Sequence, residues 1–307
     1  MASFVYGPVP SRRLGKSLGV DLVPYKVCTY DCIYCQLGRT TQRTMERQKR
    51  VPIDALIEQI KSHLTTQPDW ITLSGSGEPT LYSDIGDLIS RIKDITDIPV
   101  AVLTNGSMLW SPQLRKELSN ADLVAPSLDA GNPELYRSVN RPHKDLPFDL
   151  MVQGLLDFRN EYKGKYWLEV FLLGGITGMV VPVEEIAKIA EKIDPDRIQL
   201  NTVVRPPVES FAMPVPKDLL ECYAVAFGDK AEVIADFSGK ELHHVAKIDP
   251  KEVVELVSRR PCTLDDISSF LGMHRTEAMK YMEHLTGTGQ VLCEYQFRRV
   301  FFRAASA

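Results

Sequence analysis

The sequence predicts an α/β fold, a partial (β/α)6 barrel followed by a smaller, mainly helical unit. Two observations carry this prediction. Between residues 18 and 227, short runs rich in β-branched residues alternate six times with longer amphipathic stretches, which is typical of parallel strands joined by helical crossovers. Beyond residue 230 the alternation stops and helical patterns follow one another. Right-handed crossovers would curve the six strands into a partial barrel of the TIM type, with ligand sites at the carboxyl ends of the strands.

Each element is predicted from the spacing of its apolar residues. In the first helix, Ile53, Leu56 and Ile60 recur at the three- and four-residue spacing that places them on one face. The remaining elements follow from the same reasoning and from Gly, Pro and capping signals at their ends. The predicted strands are residues 18–23, 70–73, 100–103, 122–126, 166–173 and 197–204, and the predicted helices are 51–64, 85–95, 112–118, 133–139, 149–162, 183–193 and 217–227.

Composition limits the classes of protein that the chain can represent. Of its 307 residues, 44% are apolar and 25% charged, as in globular proteins with one large domain and something smaller. The net charge of −4 argues against a chain built mainly to grip nucleic acid or an anionic membrane. The longest apolar run, residues 170–181, is too short to cross a bilayer, and the first residues lack an export signal. We therefore expect a cytoplasmic protein, whose six cysteines do not form disulfides.

Three of the six cysteines fall within eight residues, as Cys28, Cys32 and Cys35 in a C-x3-C-x2-C run. Thiolates crowded around one point suit an iron–sulfur cluster or zinc. Structural zinc commonly has four ligands in two paired motifs, yet no second pair exists and the nearest histidine, His63, lies 28 residues beyond Cys35. Three ligands would leave one metal position open to a group that is not protein. The other cysteines are expected to be buried packing residues: Cys222, Cys262 and Cys293.

With Tyr34 directly before the last cysteine, the run resembles the signature of the radical S-adenosylmethionine (radical SAM) enzymes. The resemblance implies that the three cysteines bind three irons of a [4Fe–4S] cluster and that S-adenosylmethionine chelates the fourth. It also implies that an electron from the cluster cleaves the sulfonium to methionine and a 5′-deoxyadenosyl radical, which abstracts hydrogen from a substrate. Such an enzyme needs an electron donor of the flavodoxin or ferredoxin type. The protein's share is to position the reactants and to exclude water.

Three further segments resemble one subset of that superfamily. They are residues 7–15, 35–40 and 127–130, and the subset comprises stand-alone iron–sulfur oxidoreductase-like proteins related to wyosine-forming tRNA enzymes and to activases. The resemblance covers roughly residues 5–230. It implies a six-unit partial barrel and the cofactor chemistry, and it leaves the substrate open.

The predicted strand ends offer cofactor contacts. After the second strand, residues 74–80 resemble the family's glycine–glycine–glutamate segment, with Ser76 in place of one glycine. The resemblance assigns Gly77 and Glu78 to the methionine amino group of the cofactor, since a carboxylate beside closely approaching backbone can accept from an ammonium. Tyr34 is expected beside the cofactor. Polar residues after the third and fourth strands are expected on its sugar or methionine side: Asn105, Ser127 and Asp129.

Two other polar positions stand out along the later strands. Glu169 interrupts an apolar strand, and because an unpaired buried acid is expensive, it must face a polar barrel interior or an arginine. Asn201 and Arg205 end the sixth strand and are candidates for cofactor or substrate contact. None of these residues is assigned a catalytic acid–base role.

Basic residues cluster in the segment that follows the cysteine run. Near the barrel mouth they would hold a phosphate or carboxylate of the substrate, although a solvated flexible loop explains the same pattern. The members of the cluster are Arg39, Arg43, Arg47, Lys49 and Arg50, and a weaker group comprises Arg137, Arg141, His143 and Lys144.

The last part of the chain resembles a winged helix domain, with three helices and a two-stranded wing that turns near residues 296–299. In such domains the third helix commonly enters the major groove of DNA. Residues 249–307 hold eight basic and eight acidic side chains, so contact with RNA or DNA and contact with protein stay equally open. The predicted limits are 1–235 for the barrel, 236–248 for a linker and 249–307 for the winged unit. The exposed face of the third helix would comprise His274, Arg275, Thr276 and Lys280.

These observations predict a radical SAM enzyme that abstracts hydrogen from a substrate. One candidate substrate is a nucleic-acid base, delivered with help from the winged unit and the basic loop. Two alternatives stay open: an activase that places a radical on a partner protein, and a zinc-binding winged-helix regulator without catalysis.

Overall fold

The structure, a computed structural model, describes residues 3–235, 250–271 and 275–305. Its main element is one mixed sheet in the order β1-β2-β5-β6-β7-β8-β9-β11, with β10 paired to β8. From β2 to β11 all neighbouring strands run parallel, and β1 is antiparallel to β2. The strands of this sheet are β1 (Val5–Ser11), β2 (Gly15–Asp21), β5 (Trp70–Ser74), β6 (Val100–Thr104), β7 (Leu123–Pro126), β8 (Lys165–Gly174), β9 (Arg197–Thr202), β10 (Met213–Pro214) and β11 (Ala231–Val233). A separate two-stranded ribbon comprises β3 (Val27–Cys28) and β4 (Gln42–Arg43).

Helices cover the outer face of the curved sheet. They are amphipathic: in the second helix, Ile85, Leu88 and Ile92 are fully buried in the core between helices and sheet. Seven helices belong to the described part of the barrel: α1 (Ile53–His63), α2 (Ile85–Ile95), α3 (Pro112–Leu118), α4 (Pro133–Val139), α5 (Phe148–Glu161), α6 (Val180–Ile193) and α7 (Lys217–Ala224).

The two faces of the sheet differ, as the two-residue period of a strand requires. On β8, Leu168, Val170 and Leu172 point outward into the helical core, whereas Trp167 belongs to a small inner cluster with Leu123 and others. Glu169 alternates with these apolar side chains and faces the barrel interior. The predicted partial barrel is therefore confirmed, with polar groups inside it.

The strand β1 corrects the prediction, which left this segment outside the sheet. It carries Pro8 and Pro10, which cannot donate to a ladder and hide the two-residue period. The structure places it at the edge of the sheet, where proline is tolerated. At the opposite edge, the three-residue strand β11 was also unpredicted.

The end of the chain folds around its own apolar core, which includes Val253, Ile267 and Met282. Three helices and a three-stranded antiparallel sheet of order β12-β14-β13 form it. Phe297 and Arg298, both with positive φ, make the tight turn of the predicted hairpin. The winged-helix assignment stays a prediction, and the predicted linker and His274 lie outside the described residues. The elements are α8 (Pro250–Arg259), β12 (Cys262–Thr263), α9 (Leu264–Leu271), α10 (Arg275–Gly287), β13 (Val291–Gln296) and β14 (Arg299–Ala304).

Replacing Asn132 by alanine should destabilise the barrel. The Asn132 side chain caps α4, since its Oδ1 accepts from the backbone nitrogens of Glu134 and Leu135 at 3.1 and 2.9 Å. Loss of such a cap costs about 1 kcal/mol. Denaturant unfolding of Asn132→Ala should show this loss, whereas the exposed Asn120→Ala, outside any cap, should stay within about 0.5 kcal/mol of the parent. Equal stabilities of the two variants would contradict the prediction.

Candidate active site

The three clustered cysteines lie in one loop at the carboxyl edge of the sheet. The loop leaves β3 at Cys28 and returns through β4, where Cys28 pairs with Arg43. All three thiols are free and half-buried. Within the described residues no three His, Cys, Asp or Glu side chains converge on a single metal position.

Each thiol of this loop has a nitrogen donor within reach, and each donor comes from a different part of the fold. Asn105, directly after β6, approaches Cys28 with Nδ2 3.6 Å from Sγ. Asn140, at the end of α4, places Nδ2 3.6 Å from Cys32 Sγ. The Lys26 ammonium donates to Cys35 Sγ at 3.0 Å. The contacts from Asn105 and Asn140 therefore hold the loop to the rest of the barrel, whereas the contact from Lys26 lies within the loop segment itself.

Lys26 is a site residue that sequence reasoning missed. It is buried, and its backbone adopts a φ of +58°. The backbone nitrogen of Lys26 donates to the carbonyl oxygen of Ser76 at 2.6 Å. Although burial opposes the charged ammonium, the negative charge of Cys35 and the hydrogen bond to its sulfur raise the pKa of Lys26. A buried lysine needs a charged or polar partner, but nothing in the local sequence indicates that the partner is a cysteine nine residues ahead.

The thiols of Cys28 and Cys32 favour the protonated form in this structure. Burial, followed by the charge of Glu78, raises the pKa of Cys28 to about 12. Burial, followed by the charge of Asp129, raises the pKa of Cys32 well above its ordinary value. Metal binding would release these protons, because the thiolate is the ligand.

The predicted pair Gly77 and Glu78 lies directly against the cysteine loop. A Cβ at Gly77 would overlap the carbonyl oxygen of Val27, and the Glu78 nitrogen donates to that oxygen at 3.0 Å. Glycine at position 77 therefore permits the close approach of the two segments.

The buried carboxylate of Glu78 joins two strand ends. Its Oε1 accepts from Thr80 N at 3.0 Å and from the hydroxyls of Thr80 and Thr104 at 2.6 Å each. Its Oε2 accepts from the Asn105 backbone nitrogen at 2.8 Å. Burial raises the pKa of Glu78 against the effect of these hydrogen bonds. The segment after β5 is thereby held to the segment after β6.

Asp129 is the second buried carboxylate of the rim. It accepts from the Tyr34 hydroxyl, from Asn140 Nδ2 at 2.8 Å and from the Phe171 nitrogen at 3.1 Å. The ring of Tyr34 stacks on Phe171 with centroids 4.1 Å apart. Burial raises the pKa of Asp129 to about 6. Sequence reasoning named Tyr34 and Asp129 separately, and the structure brings them into contact.

Glu169 was expected to face a polar barrel interior or an arginine, and in the structure it does both. It pairs with Arg13 at 2.9 Å and accepts from Asn201 Nδ2 at 2.8 Å. Ser127 is half-buried and forms a single bridge to Glu169 through the backbone. Arg205 is buried and pairs with Asp266 of the C-terminal unit at 3.3 Å.

The basic side chains after the cysteine run were expected to hold a phosphate or carboxylate of the substrate, but most of them are occupied by groups of the protein itself. The structure pairs its side chains with carboxylates of the protein: Arg39 with Asp31 and Glu209, Arg47 with Glu117, and Lys49 with Asp84. Arg43 donates to the Arg141 carbonyl at 3.1 Å. Most of the cluster therefore fixes the loop to the barrel, and the buried Nε and Nη2 atoms of Arg50 have no hydrogen-bond partner in the described structure.

The isolated cysteines were predicted to be buried, and two of the three are not. Cys262 is fully buried in the C-terminal core. Cys222 and Cys293 are exposed. Cys222 lies on α7, where Leu220 is the buried residue, and Cys293 lies on the hairpin strand β13.

On α10, Arg275 is exposed and pairs with Asp265 at 3.0 Å, and Lys280 is exposed. The role of this helix face stays a prediction.

Comparison with known proteins identifies the class. The sequence profile of the Radical SAM superfamily matches residues 22–193, more than half of the chain, and the chain belongs to this superfamily. Membership makes it a radical SAM enzyme, and the cofactors of the superfamily are S-adenosylmethionine and a [4Fe–4S] cluster.

More specifically, the chain is similar to the UPF0026 proteins. It is 32% identical to UPF0026 protein MJ1312 of Methanocaldococcus jannaschii over 278 residues, 88% of this chain and 86% of that one. It is 34% identical to the UPF0026 protein of Helicobacter pylori J99, over 94% of this chain and 93% of that one. A Brachyspira hyodysenteriae protein named GTPase Obg is 39% identical over 94% of this chain, which spans only 43% of that protein's length.

Solved structures agree in fold. A radical SAM methyltransferase from Sphaerobacter thermophilus superposes with a TM-score of 0.56 at 17% identity, covering 71% of this chain and 66% of that one. Streptococcus suis SuiB bound to S-adenosylmethionine superposes with a TM-score of 0.52 at 15% identity, covering 70% and 49%. In the described residues, every helix is too short or too polar to span a membrane.

Asp129 should make the stability of the metal-free protein depend on pH. Its pKa rises from 3.8 to about 6 on folding, so between these values the folded state binds the proton more tightly than the unfolded chain. Stability should therefore fall as pH rises from about 4 to about 6, on the order of 2 kcal/mol in total. The neutral Asp129→Asn variant lacks this loss, so thermal unfolding should show the variant gaining on the parent across this interval. Parallel pH profiles of the two proteins would count against the assigned burial of the charge.

Proposed function

We propose that the chain holds a [4Fe–4S] cluster through Cys28, Cys32 and Cys35 and cleaves S-adenosylmethionine reductively to abstract hydrogen from a substrate. The observation that carries the proposal is the set of three half-buried free thiols in one loop, each approached by a nitrogen donor. This donor set fits a cubane cluster, in which each thiolate binds its own iron and hydrogen bonds to sulfur tune the reduction potential.

When bound, the cluster would supply one electron that cleaves the bond between the sulfonium sulfur and the 5′ carbon of the cofactor, which yields methionine and a 5′-deoxyadenosyl radical. The chain's own part is electrostatic and positional. Lys26 places a positive charge beside Cys35, and Asn105 and Asn140 direct neutral N–H donors at Cys28 and Cys32. Positive charge and N–H donors stabilise the reduced, more negative state. An external reductant of the flavodoxin or ferredoxin type is part of the proposal.

We assign the cofactor's methionine end to Gly77 and Glu78. The Glu78 Oε2 atom accepts from one donor, the Asn105 nitrogen, whereas Oε1 accepts from three. Because a carboxylate oxygen has two lone pairs, Oε2 keeps capacity for an ammonium. The absence of a side chain at Gly77 leaves its backbone close to the cysteine loop.

The sugar or methionine side is assigned to Asn105, Ser127 and Asp129, with Tyr34 beside them. Support comes from their position: all lie at the carboxyl edge of the sheet, where ligands bind in such barrels. Tyr34, Asp129 and Asn140 form one hydrogen-bonded chain that reaches Cys32. A cofactor resting on this edge would meet side chains that are already oriented.

Replacing Cys32 by alanine should abolish cluster binding and turnover. The experiment is anaerobic reconstitution with iron and sulfide, followed by measurement of iron content and of 5′-deoxyadenosine formed from S-adenosylmethionine and dithionite. The parent should yield the nucleoside, and Cys32→Ala should fall to background, because one iron loses its ligand.

The matched control for this experiment is Cys222→Ala, which removes an exposed cysteine far along the chain. It should retain the iron content and activity of the parent. A parent protein that binds no iron and sulfide, or that binds zinc instead, would refute the proposal.

Neutralising Lys26 should make the cluster harder to reduce. Lys26→Met removes a charge-assisted bond to Cys35, an interaction of roughly 1.5–3 kcal/mol. For a one-electron couple, loss of this interaction from the reduced state alone corresponds to a midpoint potential about 65–130 mV more negative. Lys26→Arg keeps the charge and should stay close to the parent. The measurement is a redox titration of the reconstituted cluster followed by electron paramagnetic resonance. An unchanged potential in Lys26→Met would contradict the assigned charge effect.

A further inference from the structure

A cavity of about 1070 Å³ lies between the open edge of the sheet and the C-terminal unit. Its lining includes Gln36, next to Cys35, and Ser74 and Ser76, which precede Gly77. Its volume is at the upper end of those of small-molecule sites. The cavity therefore adjoins the edge to which the cofactor is assigned, and α8 and α9 contribute to its wall.

The C-terminal unit is held against the barrel by ion pairs between residues that line this cavity. Arg259 donates to Asp21, and its guanidinium lies 3.9 Å from the centroid of the Tyr6 ring. Asp266, which also accepts from Thr263 N at 2.9 Å, pairs with Arg205 at 3.3 Å. Arginine–carboxylate pairs therefore fix the position of the wall that the C-terminal unit contributes.

Seven arginines and six carboxylates line the cavity. Four of the arginines, which come from three separate parts of the chain, repel one another. Arg12 and Arg13 precede β2, Arg205 follows β9, and Arg260 follows α8. Arg13 pairs with Glu169, and Arg12 Nη1 donates to Asn201 Oδ1 at 2.8 Å.

Arg260 differs from the other three arginines of this mutually repelling group. Among the described residues no carboxylate lies within 4.0 Å of its guanidinium, although the group is half-buried at the cavity wall. The charge of Arg260 acts on Asp266 from a longer distance, but that carboxylate is paired with Arg205. The like charges of the arginines repel one another. Burial, followed by the charges of Arg205 and Arg13, lowers the pKa of Arg12 to about 9. Burial, followed by the charge of Arg260, lowers the pKa of Arg205 to about 10. Such an assembly costs folding free energy, and an anion in the cavity would offset that cost.

The form of the anion follows from the chemistry and placement of the arginines. Guanidinium groups bind phosphate oxygens through paired N–H donors. The cations lie inside the cavity, with the side chains of Arg13 and Arg205 only 9% and 4% exposed, so they do not form the open basic groove along which a polynucleotide backbone binds.

We propose that the substrate of this enzyme is a phosphorylated small molecule whose phosphate binds in this cavity, with Arg260 as the principal donor. The inference rests on the proposed function in one respect, namely that the neighbouring edge holds the cofactor. With its phosphate among the arginines, the rest of the molecule would extend along the cavity toward the cofactor edge.

The test is equilibrium binding to the reconstituted full chain under anaerobic conditions, by isothermal titration calorimetry. The probes are pyrophosphate, adenosine 5′-monophosphate, succinate as a dicarboxylate, adenosine without phosphate, and a short single-stranded RNA. Saturable binding is expected for the two phosphate compounds, with weaker binding of succinate and none of adenosine. Tighter binding of the RNA than of the monophosphate, or no saturable phosphate binding, would overturn the proposal.

The variant Arg260→Gln should weaken phosphate binding about tenfold or more, which corresponds to one charge-assisted hydrogen bond. Arg260→Lys, which keeps the charge but not the fork, should fall between. The control Arg303→Gln lies on β14 of the same unit, outside the cavity lining, and should bind as the parent does. Circular dichroism and iron content verify that each variant is folded and loaded. Parental affinity in Arg260→Gln refutes the assignment.

The same preparations separate this inference from the proposed function. Formation of 5′-deoxyadenosine without phosphate binding would refute the phosphate site alone. Phosphate binding that depends on Arg260, in a protein that forms no 5′-deoxyadenosine with dithionite, would refute the proposed function alone.

Discussion

Burial of a carboxylate is costly unless its oxygens find donors, and at the carboxyl edge of this sheet Glu78 is placed where four donors meet it. The hydrogen bonds come from Thr80 on its own segment, from Thr104 at the end of the next strand and from Asn105 directly after it. Asn105 in turn reaches Cys28. The position of the cysteine loop thus depends on a charge that the protein could not leave unpaired, and the strand ends are held at the separation which that charge requires.

A second constraint acts from the other side of the barrel. The sheet is open between β1 and β11, and an open edge exposes unpaired backbone groups and interior side chains. The C-terminal unit packs over this region, with Val9 of β1 against its apolar core and α9 in contact with the same strand. The unit is therefore part of the wall of the interior cavity, and its near-neutral charge is consistent with a role that faces inward.

The sequence predicts well those features whose causes are local. Helices α2, α3 and α4 have the predicted bounds. A capping residue followed by proline starts α3 at Ser111 and α4 at Asn132, and the spacing of apolar residues defines α2. The C-x3-C-x2-C run indicates its site because ligand spacing is itself a local property.

What the sequence does not reveal arises from contacts made across the fold. Lys26 has a left-handed backbone and a buried side chain that meets Cys35, and neither feature is visible in the local sequence. Proline hides β1 from pattern analysis, although its edge position tolerates proline. The partners of Arg39 and Arg47 lie up to 170 residues away, so a run that reads as free positive charge is largely neutralised in three dimensions.

Asp21 connects these constraints. One of its oxygens accepts from the Ser76 nitrogen at 2.8 Å, in the segment that leads to Gly77, while the other accepts from Arg259 of the C-terminal unit. Burial raises the pKa of this carboxyl, and the charge of Arg259 opposes that rise. Detachment of the C-terminal unit would leave a buried charge without its counterion directly beneath the glycine-rich segment. The two parts of the chain are therefore thermodynamically coupled. The stability of the barrel depends on the C-terminal unit, although the predicted linker divides the sequence into two separate domains.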